Sequence, residues 1–246
     1  MAAGLAARGM RPVCAIYSTF LQRAYDQLIH DVAIGGLPVV LAVDRAGLVG
    51  ADGETHQGLF DVPYLRTAPG LRLYAPANYA EQETALALSL AQETPAALRY
   101  PRGSQGSFTQ DTMSLAEALL RPGEDVTLCT YGILTNAALA AAQTLEQEGI
   151  HAAVVKLNWL HGADFPLLRE QAAASGRLIV LEDCVEQGCM GQKLAALLAE
   201  HKQHAALRLL DLKAQFVPQG TVEQLSAAYQ IDACAMAQAA REMLHG

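Results

Sequence analysis

Residues 12–44 read PVCAIYSTFLQRAYDQLIHDVAIGGLPVVLAVD. Two short apolar runs, Pro12–Tyr17 and Pro38–Val43, bracket a stretch in which Leu21, Tyr25, Leu28, Ile29 and Val32 recur at helical spacing. Both runs lack polar alternation, the pattern of strands buried on both faces of a parallel sheet. Ser18 or Thr19 stands where a helix cap is expected, and Gly35-Gly36 ends the helix before the second run. The segment therefore reads strand, helix, strand.

The alternation continues outward from it. A polar, glycine-rich loop runs from Asp44 to about Gly58, and Leu71 to Ala75 makes a third strand. Asn78 with Glu81 starts an alanine- and leucine-rich helix in the manner of a capping box, and Ala96 to Tyr100 is a fourth strand. Residues 103–114 are polar and aperiodic, as linkers between domains are. Strands then recur near 126–130, 153–157, 178–181 and 207–210, with helices between them and a last helix over 233–244. The expected fold is α/β: two doubly wound, mostly parallel-sheet domains, residues 1–105 and 115–246.

Composition narrows the function classes. Of 246 residues, 52% are hydrophobic and 17% charged, a balance that can build packed cores. The formal net charge of −8 argues against nucleic acid as a general partner, since phosphate neutralisation needs clustered Lys and Arg. No apolar run is long enough for a membrane span, and Met1–Gly9 lacks the pattern of a signal peptide. Five cysteines, an odd count, point to a reducing compartment, and a cytoplasmic location is expected. Cys184 and Cys189 match no common zinc spacing, so no metal ligands are assigned and buried thiols are expected. His201 and His204 lie on a polar helix end and are expected to be solvated.

The polar residues gather at strand ends. Tyr17 ends the first strand, Asp44-Arg45 the second, and Arg102 follows the fourth; Asp52 and His56 lie in the loop after the second. Ligands of open parallel sheets bind at the carboxyl ends of the strands, so Tyr17, Arg45, Asp52, His56 and Arg102 are expected to line one crevice. Two arginines suit an anionic group, and a histidine suits proton transfer near neutrality. Each residue taken singly also has a plain reading: a surface ion pair for a strand-end Arg, a core aromatic for Tyr17 or Phe20, a turn for Asp52-Gly53. Pattern alone leaves the function open.

Longer strings are more specific. Residues 15–33 (AIYSTFLQRAYDQLIHDVA) closely resemble a signature of 1-deoxy-D-xylulose-5-phosphate synthases, and residues 44–58 (DRAGLVGADGETHQG) resemble a second. Arg99-Tyr-Pro-Arg-Gly103 and Phe216-Val-Pro-Gln-Gly-Thr221 are similar to further segments of that family. The resemblance covers essentially the whole chain and is strongest up to Gly103.

It implies a thiamine-diphosphate-dependent transketolase-type transferase. Pyruvate is decarboxylated and its two-carbon remainder joined to glyceraldehyde 3-phosphate, giving 1-deoxy-D-xylulose 5-phosphate for isoprenoid precursor, thiamine and pyridoxal synthesis. Family members have three domains, and this chain resembles most of the second, which holds the aminopyrimidine ring, and all of the third. The resemblance implies that Phe20 stacks on the aminopyrimidine with Tyr17 beside the cofactor. Arg45 and Arg102 would hold the triose phosphate, His56 would contact substrate, and Asp52 would lie nearby.

The family's catalytic glutamate, which precedes a segment like Ala2–Ala6, and its Gly-Asp-Gly…Asn motif for the diphosphate and Mg²⁺ have no counterpart in this sequence. The expectation is a C-terminal fragment with a truncated pyrimidine-binding domain. It would be inactive alone and completed by the missing N-terminal domain in cis or in trans, in a homodimer. The alternatives are one subunit of a split transketolase-type enzyme, or a non-catalytic phosphate-binding module.

Overall fold

A computed structural model describes residues 1–245. Two sheets are formed. Strands β1 (Val13–Tyr17), β2 (Val40–Asp44), β3 (Arg72–Tyr74) and β4 (Ala96–Arg99) make a wholly parallel sheet in the order β1-β2-β4-β3. Strands β5 (Glu117–Arg121), β6 (Val126–Tyr131), β7 (Ala152–Leu157), β8 (Arg177–Leu181) and β9 (Ala206–Leu210) make a second sheet ordered β5-β7-β6-β8-β9. It is parallel except for β5, which runs antiparallel along β7 with a bulge between Leu119 and Arg121. The α/β architecture with mostly parallel sheets is as the sequence implied.

Central strands follow their apolar runs closely. All of β4, β6 and β7 is buried, and in β2 only Asp44 is partly exposed. Strand β1 differs: it lies at the sheet edge and alternates between exposed and half-buried positions, with Val13 47% exposed. A continuous apolar cluster joins the sheets, running from Val43, Leu65 and Leu73 to Tyr131, Leu157 and Leu160. The outer edge of β3 is covered by the chain after β7, through Ala75 N–H to the Asn158 carbonyl (3.0 Å) and Leu160 N–H to the Leu73 carbonyl (2.7 Å).

Several local expectations are corrected. Residues 18–33 do not form one regular helix. Ser18–Leu21 is α-helical, Gln22–Ala24 is 3₁₀, Tyr25–Gln27 is α-helical and Leu28–Ala33 is π-helical, with the Ile34 N–H reaching back five residues to Ile29. Neither Ser18 nor Thr19 caps it; Tyr17 holds the cap position, and the Thr19 hydroxyl donates to the Thr55 carbonyl at 2.9 Å.

The capping box at Asn78 is half formed. Asn78 Oδ1 accepts from Glu81 N–H (2.9 Å), but the Glu81 carboxylate turns inward to Ala77 N–H, Thr112 and Lys156. The polar stretch 103–114 is fastened rather than loose: Phe108 and Met113 are buried, and Thr112 bonds Glu81 through both backbone and hydroxyl. Strand β5 carries only the short apolar run Ala118–Leu120 and has no counterpart among the strands read from the sequence.

Of the cysteines, Cys129, Cys184 and Cys189 are buried, whereas Cys14 is half-buried and Cys234 exposed. His201 and His204 are exposed as expected. Among the described residues no helix is long and apolar enough to cross a membrane.

Candidate active site

Register brings the strand ends together. Tyr17 is level with Asp44 across β1–β2, and Val43 with Arg99 across β2–β4. The residues just past these ends therefore emerge side by side. Arg45 has φ +57°, a left-handed turn uncommon outside glycine, and the preceding Asp44 carboxylate accepts its N–H at 2.7 Å. Its guanidinium folds over the Tyr17 ring, 3.9 Å from the centroid. Tyr17 stacks on Phe20 (centroids 5.2 Å apart, planes 21°), and Phe20 meets His56 edge-on at 5.5 Å.

Arg45, Tyr17, Phe20 and His56 thus form one unbroken array. Phe20 is 40% exposed, so part of its ring stays accessible from outside the array. His56 Nδ1 is bonded to the neighbouring Thr55 hydroxyl at 2.9 Å, which leaves Nε2 as the nitrogen available to a ligand.

Asp52 and Arg102 meet each other instead: Arg102 Nη1 donates to Asp52 Oδ2 at 3.1 Å, with both side chains substantially exposed. An exposed pair of this kind adds little stability and can open for a ligand anion. The loop that carries Asp52 and His56 is closed at its neck by Gly47 and Gly58, whose N–H and C=O groups exchange bonds of 2.7 and 2.8 Å. A Cβ on Gly58 would lie 2.2 Å from the Arg45 carbonyl oxygen, so only glycine fits beneath the arginine.

Behind this surface lies a buried charge cluster that reading the sequence did not assign. Arg99 is 4% exposed and binds Asp61 through Nε (2.9 Å) and Asp183 through Nη2 (3.0 Å). Burial alone would favour its neutral form, but Asp183 and Asp61 outweigh that and hold the guanidinium charged. Burial pushes the Asp61 carboxyl up, against the pull of Arg99. Asp183 also fills the space over Gly47, where a Cβ would sit 1.9 Å from its Oδ2.

Asp183 follows β8, so the second unit directly underpins the loop of the first. Beside it, Glu182 accepts from the N–H groups of Met190 and Gly191 at 2.8 and 2.7 Å, and from the Tyr131 hydroxyl at 3.1 Å. The sequence carried a signal for both places: an arginine ending the apolar run Ala96–Leu98, and Glu182-Asp183 directly after Leu178–Leu181.

Comparison with known proteins gives the family to which these two sheets belong. Residues 1–106 match the transketolase pyrimidine-binding domain and residues 116–236 the transketolase C-terminal domain. The 1-deoxy-D-xylulose-5-phosphate synthase of Heliobacterium modesticaldum is 43% identical over 99% of this chain, and that of Syntrophotalea carbinolica 40% identical over 99%. The chain spans 38% and 39% of those proteins' lengths.

Among solved structures, a split-gene transketolase described as an inactive β4 tetramer superposes with a TM-score of 0.80 at 26% identity, covering 99% of this chain and 79% of its own. The transketolase of Campylobacter jejuni, 17% identical, shares the fold with a TM-score of 0.79 over 98% of this chain and 37% of its own. The two matched domains stand in the same order as the two sheets, and on that ground the chain belongs to the transketolase family, as a pyrimidine-binding domain followed by a C-terminal domain.

Proposed function

We propose that this chain is the pyrimidine-binding and C-terminal part, residues 1–105 and 115–246, of a 1-deoxy-D-xylulose-5-phosphate synthase. The observation that carries the reading is the Arg45–Tyr17–Phe20–His56 array at the carboxyl ends of β1 and β2. Thiamine diphosphate, when bound, supplies the electron sink for decarboxylating pyruvate. The exposed, stacked Phe20 ring suits the flat aminopyrimidine of that cofactor, with Tyr17 beside it. Its diphosphate and Mg²⁺ belong to the family's first domain, supplied in cis or in trans.

The acceptor, glyceraldehyde 3-phosphate, is assigned to the arginines. Arg45 and Arg102 offer guanidinium forks to the phosphate. Asp52 holds Arg102 at 3.1 Å until phosphate replaces it. His56, with Nδ1 on Thr55, presents Nε2 to the acceptor's oxygens, where it can give or take a proton. Remote phosphate binding of this kind orients the aldehyde for attack. The working enzyme is read as a cytoplasmic homodimer; five free cysteines fit a reducing compartment.

The test supplies this chain with a diphosphate-binding domain, fused or separate. Pyruvate and glyceraldehyde 3-phosphate should then yield 1-deoxy-D-xylulose 5-phosphate and carbon dioxide only when thiamine diphosphate is added. No product in either arrangement sinks the reading. A second reading, one subunit of a split enzyme, is favoured by the likeness to a split-gene transketolase, 79% of whose chain is covered. It requires a separate polypeptide that co-purifies with this chain and restores turnover.

A further inference from the structure

The loop that carries Asp52 and His56 is not shaped by the first unit alone. Gln57 lies beneath it, 2% exposed. Its Oε1 accepts from the N–H groups of Val49 (2.7 Å) and Gly50 (3.5 Å), while its Nε2 donates to the carbonyl of Pro218 in the second unit at 3.2 Å. Two glycines extend the seat. Gly50 has φ +85°, and a Cβ there would stand 2.9 Å from the Gly220 carbonyl oxygen; a Cβ on Gly53 would lie 3.8 Å from Gln219.

The seat itself is fixed. Val217 is buried, and Thr221 and Gln224 form a reciprocal capping box at the start of the helix Val222–Ala228. A buried carboxamide is costly unless both its ends are bonded, and here one end needs the loop and the other needs the second unit.

We propose that Gln57 is a positioning residue through which the segment Pro218–Gly220 sets the conformation of the acceptor-facing loop. The C-terminal domain thereby tunes capture of a triose phosphate without touching it. This rests on the reading of Arg45, Asp52, His56 and Arg102 as the acceptor site. Gln57 acts through Val49 and Gly50, and thus on the arc that follows, where Gly53 N–H bonds the Gly50 carbonyl (3.2 Å) and His56 N–H the Gly53 carbonyl (3.0 Å).

The experiment compares the full chain with Gln57→Leu, Gly50→Ala and the double variant. Gln57→Leu keeps roughly the volume and removes the bonds; Gly50→Ala disturbs the same seat from the loop side and still tests the coupling should the leucine variant not fold. Hydrogen exchange at the amides of Gly53 and His56 should rise about 10-fold or more in each single variant, with β2 and β6 as protected as before. The double variant should exchange no faster than the worse single, because both undo the same seating of the loop on Pro218–Gly220. Affinity for glyceraldehyde 3-phosphate, read by calorimetry, should fall about 10-fold in parallel, corresponding to about 1.4 kcal/mol.

Unchanged exchange at Gly53 and His56, or fully additive effects, overturns the coupling. Equal triose phosphate affinity in the wild type and Gln57→Leu overturns the positioning role. The expected exchange pattern in the variants, together with a wild type that binds no triose phosphate, instead overturns the acceptor-site reading and leaves the coupling supported.

Discussion

At the scale of single residues, the candidate site is made by side chains that give up ordinary positions. Arg45 takes a left-handed turn, Phe20 exposes a ring, and Gly58 leaves the room that Arg45 needs. Replacing Arg45 or Arg102 by Ala in a complete enzyme should raise KM for glyceraldehyde 3-phosphate far more than it lowers kcat. Loss of a charge-assisted bond worth about 1.5–3 kcal/mol corresponds to roughly 10- to 100-fold in kcat/KM. Unaltered acceptor saturation in both variants would remove the arginines from that role. Gly58→Ala, whose Cβ would sit 2.2 Å from the Arg45 carbonyl oxygen, should destabilise the chain by about 1–3 kcal/mol, read as a lowered denaturant midpoint. A midpoint equal to wild type would show that the neck has slack.

At the scale of elements, two buried ion clusters tie the sheets together. The first is Arg99 with Asp61 and Asp183, linking the end of β4 to the loop after β8. Arg99→Met should cost about 3–5 kcal/mol, because two buried carboxylates lose their partner. The cost should depend on pH in a stated direction. Burial already raises the Asp61 pKa above its ordinary 3.8, and removing Arg99 raises it further. A carboxyl whose folded pKa lies above the unfolded value contributes most below the unfolded pKa, and that contribution is lost as pH rises through the folded value. The gap between Arg99→Met and wild type should therefore narrow from pH 7 toward pH 4; a constant gap would contradict this account.

The second cluster is Lys156 of β7 with Glu81 of the helix Tyr79–Ala91, both fully buried and 2.9 Å apart. Burial lowers the Lys156 pKa while Glu81 pulls it back up. Lys156→Met alone should destabilise by roughly 3 kcal/mol, and adding Glu81→Leu should recover part of the loss, since an unpaired buried charge costs more than no charge. Purely additive losses in a denaturant series would show that the pair does not act as a unit. These clusters also mark where reading by pattern stops. The capping pattern at Asn78 placed the start of the helix correctly, yet the Glu81 side chain went to a lysine 75 positions further along the chain. Local periodicity has no term for such a partner.

At the scale of the whole molecule, the apolar cluster that runs between the sheets makes the two units one folded body in this chain. Some apolar surface remains outside it: the edge strand β1 with Val13 47% exposed, and Phe216, 72% exposed against Phe60. An unpaired strand edge and an exposed aromatic together favour association. The isolated chain should sediment as oligomers whose proportion rises with concentration, and Phe216→Ser should lower it. A single monomer species at all concentrations would count against this.

The string over residues 12–44 determined by itself that the chain would be α/β, because strands buried on both faces must be continuously apolar and the connecting helix must repeat at its own period. The wider sequence also placed Tyr17, Arg45 and Arg102 at strand ends, since the ends of apolar runs are visible in the order of residues. What the sequence left undecided depended on partners distant in the chain: strand β5, held antiparallel by β7 with an apolar run of only three residues; the 3₁₀ and π turns of residues 18–33; the meeting of Arg99 with Asp183. The same holds at Gln57, where a buried amide finds its second acceptor at Pro218 only after the two units have packed. Such choices follow from which groups must be satisfied once water is excluded, and only the tertiary structure settles which groups those are.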